Sequence, residues 1–185
     1  RGSEEDVLLR YKNAAEITKA SIIVRLCADC PLLDGITIDK VIDQYLKENY
    51  DYVSNLFPLP RTYPDGMSVE VFSAKILDEV NKNAKKPSER EHVTFYMWMQ
   101  PDKFKIHRVD YSKNLSKYRF NLDYEEDYNF IKKVFEGLLS KNKFCTMEEI
   151  VLWLNKNPEI FNINSHIIPQ QGWVKSFEKD KLSGF

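Results

Sequence analysis

The stretch Ser21–Gly35, SIIVRLCADCPLLDG, decides how the chain is read. Its apolar run, Ile22 to Leu26, is short, β-branched and nearly continuous, the pattern of a buried parallel strand covered on both faces. The run ends in a C-x-x-C motif that encloses Asp29 and is closed by Pro31. Either Cys27 and Cys30 form a redox or metal pair, or Asp29 is the residue that matters. A thioredoxin-like pair needs its first thiol at a helix N-terminus, where the dipole lowers its pKa, but Cys27 follows a strand. A structural zinc site needs about four ligands, and no second C-x-x-C occurs; Cys145, His92, His107 and His166 show no ligand spacing. The plainer account of the cysteines is two small residues packing a strand end. Asp29 is different, because ligands of an open α/β sheet bind beyond the carboxyl ends of its parallel strands. A carboxylate there, before a proline that forbids further pairing, is placed to hold a divalent cation against phosphate oxygens.

The neighbouring segments make a strand, helix, strand unit, the mark of an α/β sheet. Ser3 and the acids after it suit a helix start, with Val7, Leu8, Tyr11, Ala14 and Ala15 at helical spacing, so a helix is expected from about Glu4 to Lys19. Ile36, Ile38, Val41, Ile42, Tyr45 and Leu46 form one stripe of a second helix, and "YDYVSN" follows as a strand. "LFPLPRTYPDGM" ends in a Pro-Asp-Gly turn signature, which places a loop between Leu56 and Met67 of the length that often carries function. "SVEVFS" alternates as a strand and "AKILDEVNKNA" is helical, while "SEREHVTFYMWM" opens with Ser88 and acids before an aromatic stripe. Strands are expected at "KIHRVDY" and "YRFNLD". An amphipathic helix follows from Glu125 to Ser140, then one more in "TMEEIVLWLN", and the end from His166 to Phe185 reads as irregular. In "FNLDYEEDYNF" a strand, Phe120 to Leu122, again stops at an aspartate, Asp123. Two strand-end aspartates are able to converge on one magnesium ion; a helix N-cap is the competing role for Asp123.

Composition excludes several function classes. The 185 residues are 43% hydrophobic and 30% charged, enough for one domain with a full core. A net charge of -1 leaves no electrostatic footprint for nucleic acid. No apolar run approaches the roughly 20 residues that span a bilayer, and no signal-peptide pattern opens the chain. Three cysteines do not make the disulfide framework of a small secreted protein, so the chain reads as cytoplasmic with reduced thiols.

Five segments in order, "RGSEEDVLLRY", "IVRLCADCPLLD", "DYVSN" with "RTYPDGMSVEVFS", "SEREHVTFY" and "NLDYEEDYNFIKKVFE", resemble the cytidylyltransferase family typified by spore coat polysaccharide biosynthesis protein F and related to the CMP-Kdo and CMP-acylneuraminate synthetases. The closing "LNKNPEIFNIN...GWVKSFEKD" is similar to that family's C-terminal end. The resemblance implies a Rossmann-like three-layer α/β/α sandwich of the nucleotide-diphospho-sugar transferase type, with a mixed, mostly parallel sheet. It implies Mg2+-dependent transfer of a cytidylyl group from CTP to a sugar or sugar acid, releasing pyrophosphate, and a homodimer. Asp29 and Asp123 fall on the family's metal aspartates, the second within an Asp-x-Pro-x-Asp pattern in which Glu125 here replaces the proline. Arg25, Arg61, Asp65, Glu70, Arg90 and His92 fall on the substrate side; helix-end ion pairing is the competing role for Arg90 and His92. The family's glycine- and arginine-containing triphosphate loop is not matched, so residues 1–185 are expected to form one N-terminally incomplete nucleotidyltransferase-like domain, with 141–185 as a C-terminal helical extension, that does not catalyse transfer alone. Two rivals stand beside this reading: a noncatalytic sugar- or nucleotide-binding module, and a cysteine-dependent redox or metal protein.

Overall fold

Alternate side chains of the central strands face two different helical layers, and that alternation builds the sandwich. In the computed structural model, which describes residues 2–140, 144–169 and 171–185, four strands form one sheet: β1 (Ile22–Arg25), β2 (Tyr52–Ser54), β3 (Glu70–Ser73) and β4 (Ile106–Arg108). Their order is β1-β3-β2-β4. Strand β3 runs antiparallel to β1 and β2, and β2 runs parallel to β4. The sheet is mixed, as expected, and three of its four strands share one direction; but β3 lies between β1 and β2, so two of the three neighbouring pairs are antiparallel and the sheet is not mostly parallel in its pairing.

Tyr52 and Phe72 point to one side, where Leu8 of α1 (Val7–Thr18) and Leu77 and Val80 of α3 (Ala74–Asn83) complete a buried cluster. Val53 and Val71 point to the other, against Val41 of α2 (Gly35–Lys47). The period-2 alternation of a strand thus gives the α/β/α layering directly. A third cluster joins Tyr63 and Met67 to Phe120, to Phe130 of α6 (Glu125–Val134) and to Ile150 of α7 (Met147–Leu154).

Several local expectations need correction. Strand β1 pairs with β3 in antiparallel fashion, and Ile22 is 40% exposed. Continuous apolar character does not report strand direction, and at the sheet edge none of the four residues of β1 is fully buried, so the expectation of a strand covered on both faces fails with it. The first helix is capped by Asp6, whose carboxylate accepts from the Leu9 N–H at 3.0 Å, not by Ser3. After Ser73 caps α3, the stretch that opens with Ser88 makes two short helices, α4 (Pro87–Glu91) and α5 (Phe95–Trp98), separated where Val93 takes φ 60°. "YRFNLD" forms no strand; its one β-bridge joins Arg119 to Asp65. Helix α6 runs into a π-helical turn, Phe135–Leu139, instead of continuing as α-helix. A short α8 (Pro158–Phe161) follows α7. The segment read as irregular carries α9 (Gln171–Leu182). It docks by polar anchors: the Ser88 N–H and hydroxyl donate to Asp180 at 2.8 and 2.5 Å. Trp173 and Phe177 add ring contacts to Phe95, and a helix that docks partly through buried hydrogen bonds leaves only a weak apolar period in its sequence.

Candidate active site

Beyond the end of β1 the chain turns: the Cys30 N–H donates to the Cys27 carbonyl at 3.2 Å, with Ala28 and Asp29 between them. The Leu122 N–H donates to the Asp29 carbonyl at 2.9 Å. That bond ties the turn to the segment carrying Asp123, so the two aspartates expected to meet do line one cleft. Its volume is about 380 Å³. The Cys30 thiol lies 3.5 Å from Asp29 Oδ1 and 3.9 Å from Asn121 Oδ1. Its hydrogen bond to Cys27 holds the Cys27 thiol below the usual range; the same contact, together with burial and the Asp29 carboxylate, pushes Cys30 well up.

The second wall is the proline-rich loop. Gly66 sits at φ +85°, and a Cβ there would lie 2.5 Å from the Asn121 nitrogen and the Phe120 carbonyl carbon. Only glycine allows both that backbone conformation and that approach. The loop is thereby laid along residues 118–121: the Asp65 N–H donates to the Tyr118 carbonyl at 2.9 Å, and the Phe120 N–H to the Asp65 carbonyl at 2.7 Å. These bonds also explain the lost strand, since the segment pairs with a loop. Arg61 and Asp65 are buried as an ion pair at 3.0 Å. Burial pushes the Asp65 carboxyl above its usual range, against the pull of Arg61 and Arg119.

Arg119, a residue not singled out from the sequence, joins these parts. Its guanidinium donates to Asp127 through Nε (2.9 Å) and Nη2 (2.8 Å), to Asp123 through Nη2 (2.7 Å) and to Asp65 through Nη1 (3.1 Å). Asp127 also accepts from the Asn164 amide at 2.8 Å and from the Asp123 and Tyr124 N–H groups, both at 3.1 Å. Burial disfavours the Asp127 charge, but Arg119, Asn164 and the Asp123 N–H together hold its carboxyl below the usual carboxylate range. The spacing Arg119, Asp123, Asp127 is a four-residue repeat, the one signal by which this cation was findable.

The other expected residues divide. Arg25, Arg61, Asp65 and His92 line the cleft with the two aspartates. Glu70 lies behind the wall, pairing with Arg25 and accepting from the Tyr52 and Thr94 hydroxyls at 2.6 Å each. Arg90 points elsewhere, donating to Asp6 at 3.0 and 2.7 Å and to the Asn81 carbonyl at 3.0 Å. His92 stacks on Phe95, with ring centroids 4.3 Å apart, and its Nε2 is 2.8 Å from the Ser176 hydroxyl of α9. Burial holds the His92 imidazole below its usual pKa. Helix α9 adds Trp173 and Lys175 to the rim; both lie in the closing segment that resembles the family's C-terminal end, where neither was singled out as a site residue.

Chemically, among the described residues Asp29 has no cationic partner within ion-pair distance, and Asp123, 41% exposed, makes no hydrogen bond through Oδ1. Among the described residues no group of three or more His, Cys, Asp or Glu side chains forms a metal cage. Two carboxylates with room beside them fit a cation such as Mg2+, which keeps waters and takes phosphate oxygens as further ligands.

Residues 1–165 match a family model described as cytidylyltransferase. An uncharacterized protein of Methanocaldococcus jannaschii is 36% identical over 169 residues, 90% of this chain and 67% of that protein. Spore coat polysaccharide biosynthesis protein SpsF of Bacillus subtilis is 30% identical over 162 residues, 86% of this chain and 65% of SpsF. The chain thus spans about two thirds of the length of these curated relatives. The solved structure of a cytidylyltransferase from Leptospira borgpetersenii serovar Hardjo-bovis superposes with a TM-score of 0.82 at 32% identity, covering 92% of this chain and 70% of that one.

Proposed function

The chain belongs to the cytidylyltransferase family and has a nucleotide-diphospho-sugar transferase fold, and from that premise we propose that the protein moves a cytidylyl group from CTP to a sugar or sugar acid, releasing pyrophosphate, in the making of a surface polysaccharide or other glycan precursor. The observation that carries the reading is the Leu122 N–H bond to the Asp29 carbonyl, which keeps Asp29 and Asp123 on one cleft. These two residues would hold Mg2+, which when bound supplies charge neutralisation at the phosphates.

The chain's own groups bind and orient. Arg61 is 7% exposed, has one ion pair, and keeps a buried Nε without a hydrogen-bond partner. That donor deficit favours an oxygen-rich ligand, and a guanidinium fork suits a carboxylate. Arg119 keeps Asp123 and the Arg61 loop in register while remaining off the exposed surface. Phe57 and Phe95 give the cleft an apolar side that excludes water from the reacting groups. No side-chain nucleophile is needed, because such transfer is mostly positioning and charge stabilisation. Among the described residues no helix is long and apolar enough to cross a membrane; a cytoplasmic, homodimeric enzyme completes the proposal.

The test is pyrophosphate release by the full-length protein from each of the four nucleoside triphosphates, with Mg2+ and a panel of sugar acids and neutral sugars. Release that needs CTP and one acceptor class is the expected result. No release with any combination overturns the transferase in favour of a noncatalytic binding module.

A further inference from the structure

Transfer chemistry leaves the C-x-x-C pair unused, yet Cys27 and Cys30 both line the cleft and neither is in a disulfide. The turn hydrogen bond from the Cys30 N–H to the Cys27 carbonyl brings the two Cα atoms within about 7 Å, inside the span a disulfide can bridge. Cys30 also faces Asp29 Oδ1 and Asn121 Oδ1. A metal role for the pair lacks further ligands among the described residues. A half-buried thiol pair open to a cleft is left with oxidation as its chemistry.

We propose that Cys27 and Cys30 are a modification site, at which a peroxide converts the pair to a disulfide that encloses Ala28 and Asp29. The inference goes beyond transferase activity. The Cys27 sulfur attacks the peroxide: an S–O bond forms, the O–O bond breaks, and the departing oxygen leaves as water after taking the thiol proton. The Cys30 sulfur then attacks the resulting sulfenic acid; the S–S bond forms, the S–O bond breaks, and the hydroxyl leaves as a second water with the Cys30 proton. The thiols together give up two electrons and two protons, and the peroxide takes them. A disulfide has no S–H, so Asp29 and Asn121 lose the donor that faces them. Asp29 becomes part of a closed ring and is drawn from its place on the cleft it shares with Asp123. A small dithiol restores the pair by exchange.

The experiment titrates the full-length protein with hydrogen peroxide, maps cysteines by mass spectrometry of unreduced peptides, and follows pyrophosphate release in the same samples. The expected result is a Cys27–Cys30 bond with loss of two hydrogens, formed before Cys145 is modified and reversed by dithiothreitol. Cys30→Ser should stop at a Cys27 sulfenic acid that dimedone traps. Release should fall at least roughly tenfold in step with the bond, the scale of a displaced positioning group, and recover on reduction. Separate sulfinic or sulfonic acids at the two positions without a disulfide overturn the proposal, as does a full disulfide with release unchanged. Because the bond is read by mass, it decides the modification site even if no nucleotide supports release, and that second failure would fall on the transferase reading alone.

Discussion

Asp29 and Asp123 face the same cleft but are held there by different physics. Asp29 is placed by backbone: a strand end, a turn and one hydrogen bond from the Leu122 N–H, and among the described residues its carboxylate is in no ion pair. Asp123 is placed by charge: its segment forms no strand, and Arg119 pins it while also holding Asp127 and Asp65. A carboxylate fixed through its backbone can lose its charge without cost to the fold, whereas one fixed through a buried cation shares its fate with the cation. The two halves of the site therefore differ in what they contribute to stability.

The sharpest way to break that comparison is substitution at the cation. Arg119→Leu leaves buried Asp127 without its cation and Asp65 with Arg61 alone, and should cost about 3–5 kcal/mol in denaturant unfolding, whereas Asp29→Asn should stay within about 0.5 kcal/mol of the parent. Equal losses for the two variants would erase the distinction. A smaller effect belongs to the far rim, where His92 meets Ser176 of α9. Burial lowers the folded-state pKa of His92. As pH falls from the unfolded value near 6.5 toward the folded one, the unfolded chain binds the proton first and stability declines. The slope of melting temperature against pH should therefore be shallower in His92→Gln over that window; an unchanged slope would remove His92 from the anchoring of α9.

What the sequence disclosed follows the same division. Asp29 was legible because a strand end followed by proline is a local pattern, and the Pro-Asp-Gly turn was legible because Gly66 needs its positive φ. The stripe of α2 marked Val41 and the partly buried Ile38, Ile42 and Tyr45 but also took in Ile36 and Leu46, which are exposed; that of α6 marked Ile131 and Val134, while Tyr128 and Phe135 stand exposed. Arg119 was legible only as a four-residue repeat with Asp123 and Asp127; the rest of its meaning depends on Asp65, 54 residues earlier, and on Asn164 behind Asp127. Asp123 was found, but through a strand that does not exist, since residues 118–121 bond to a loop. Glu70 occupies an alternating strand position that could equally have faced a ligand; only the fold puts Arg25, Tyr52 and Thr94 against it. Helix α9 escaped because its docking divides between Trp173 and Phe177 against Phe95 and hydrogen bonds from Ser88 to Asp180, which leaves too short an apolar pattern to read as a stripe.

The central claim is that two differently held carboxylates serve one cation, and the most direct measurement is Mn2+ binding followed by electron paramagnetic resonance in the presence of CTP. The account predicts one tightly held ion per chain in the parent, weakened at least roughly tenfold by Asp29→Asn and likewise by Asp123→Asn, as expected when an ion has only one or two protein carboxylates. Binding left unchanged by either substitution would contradict it.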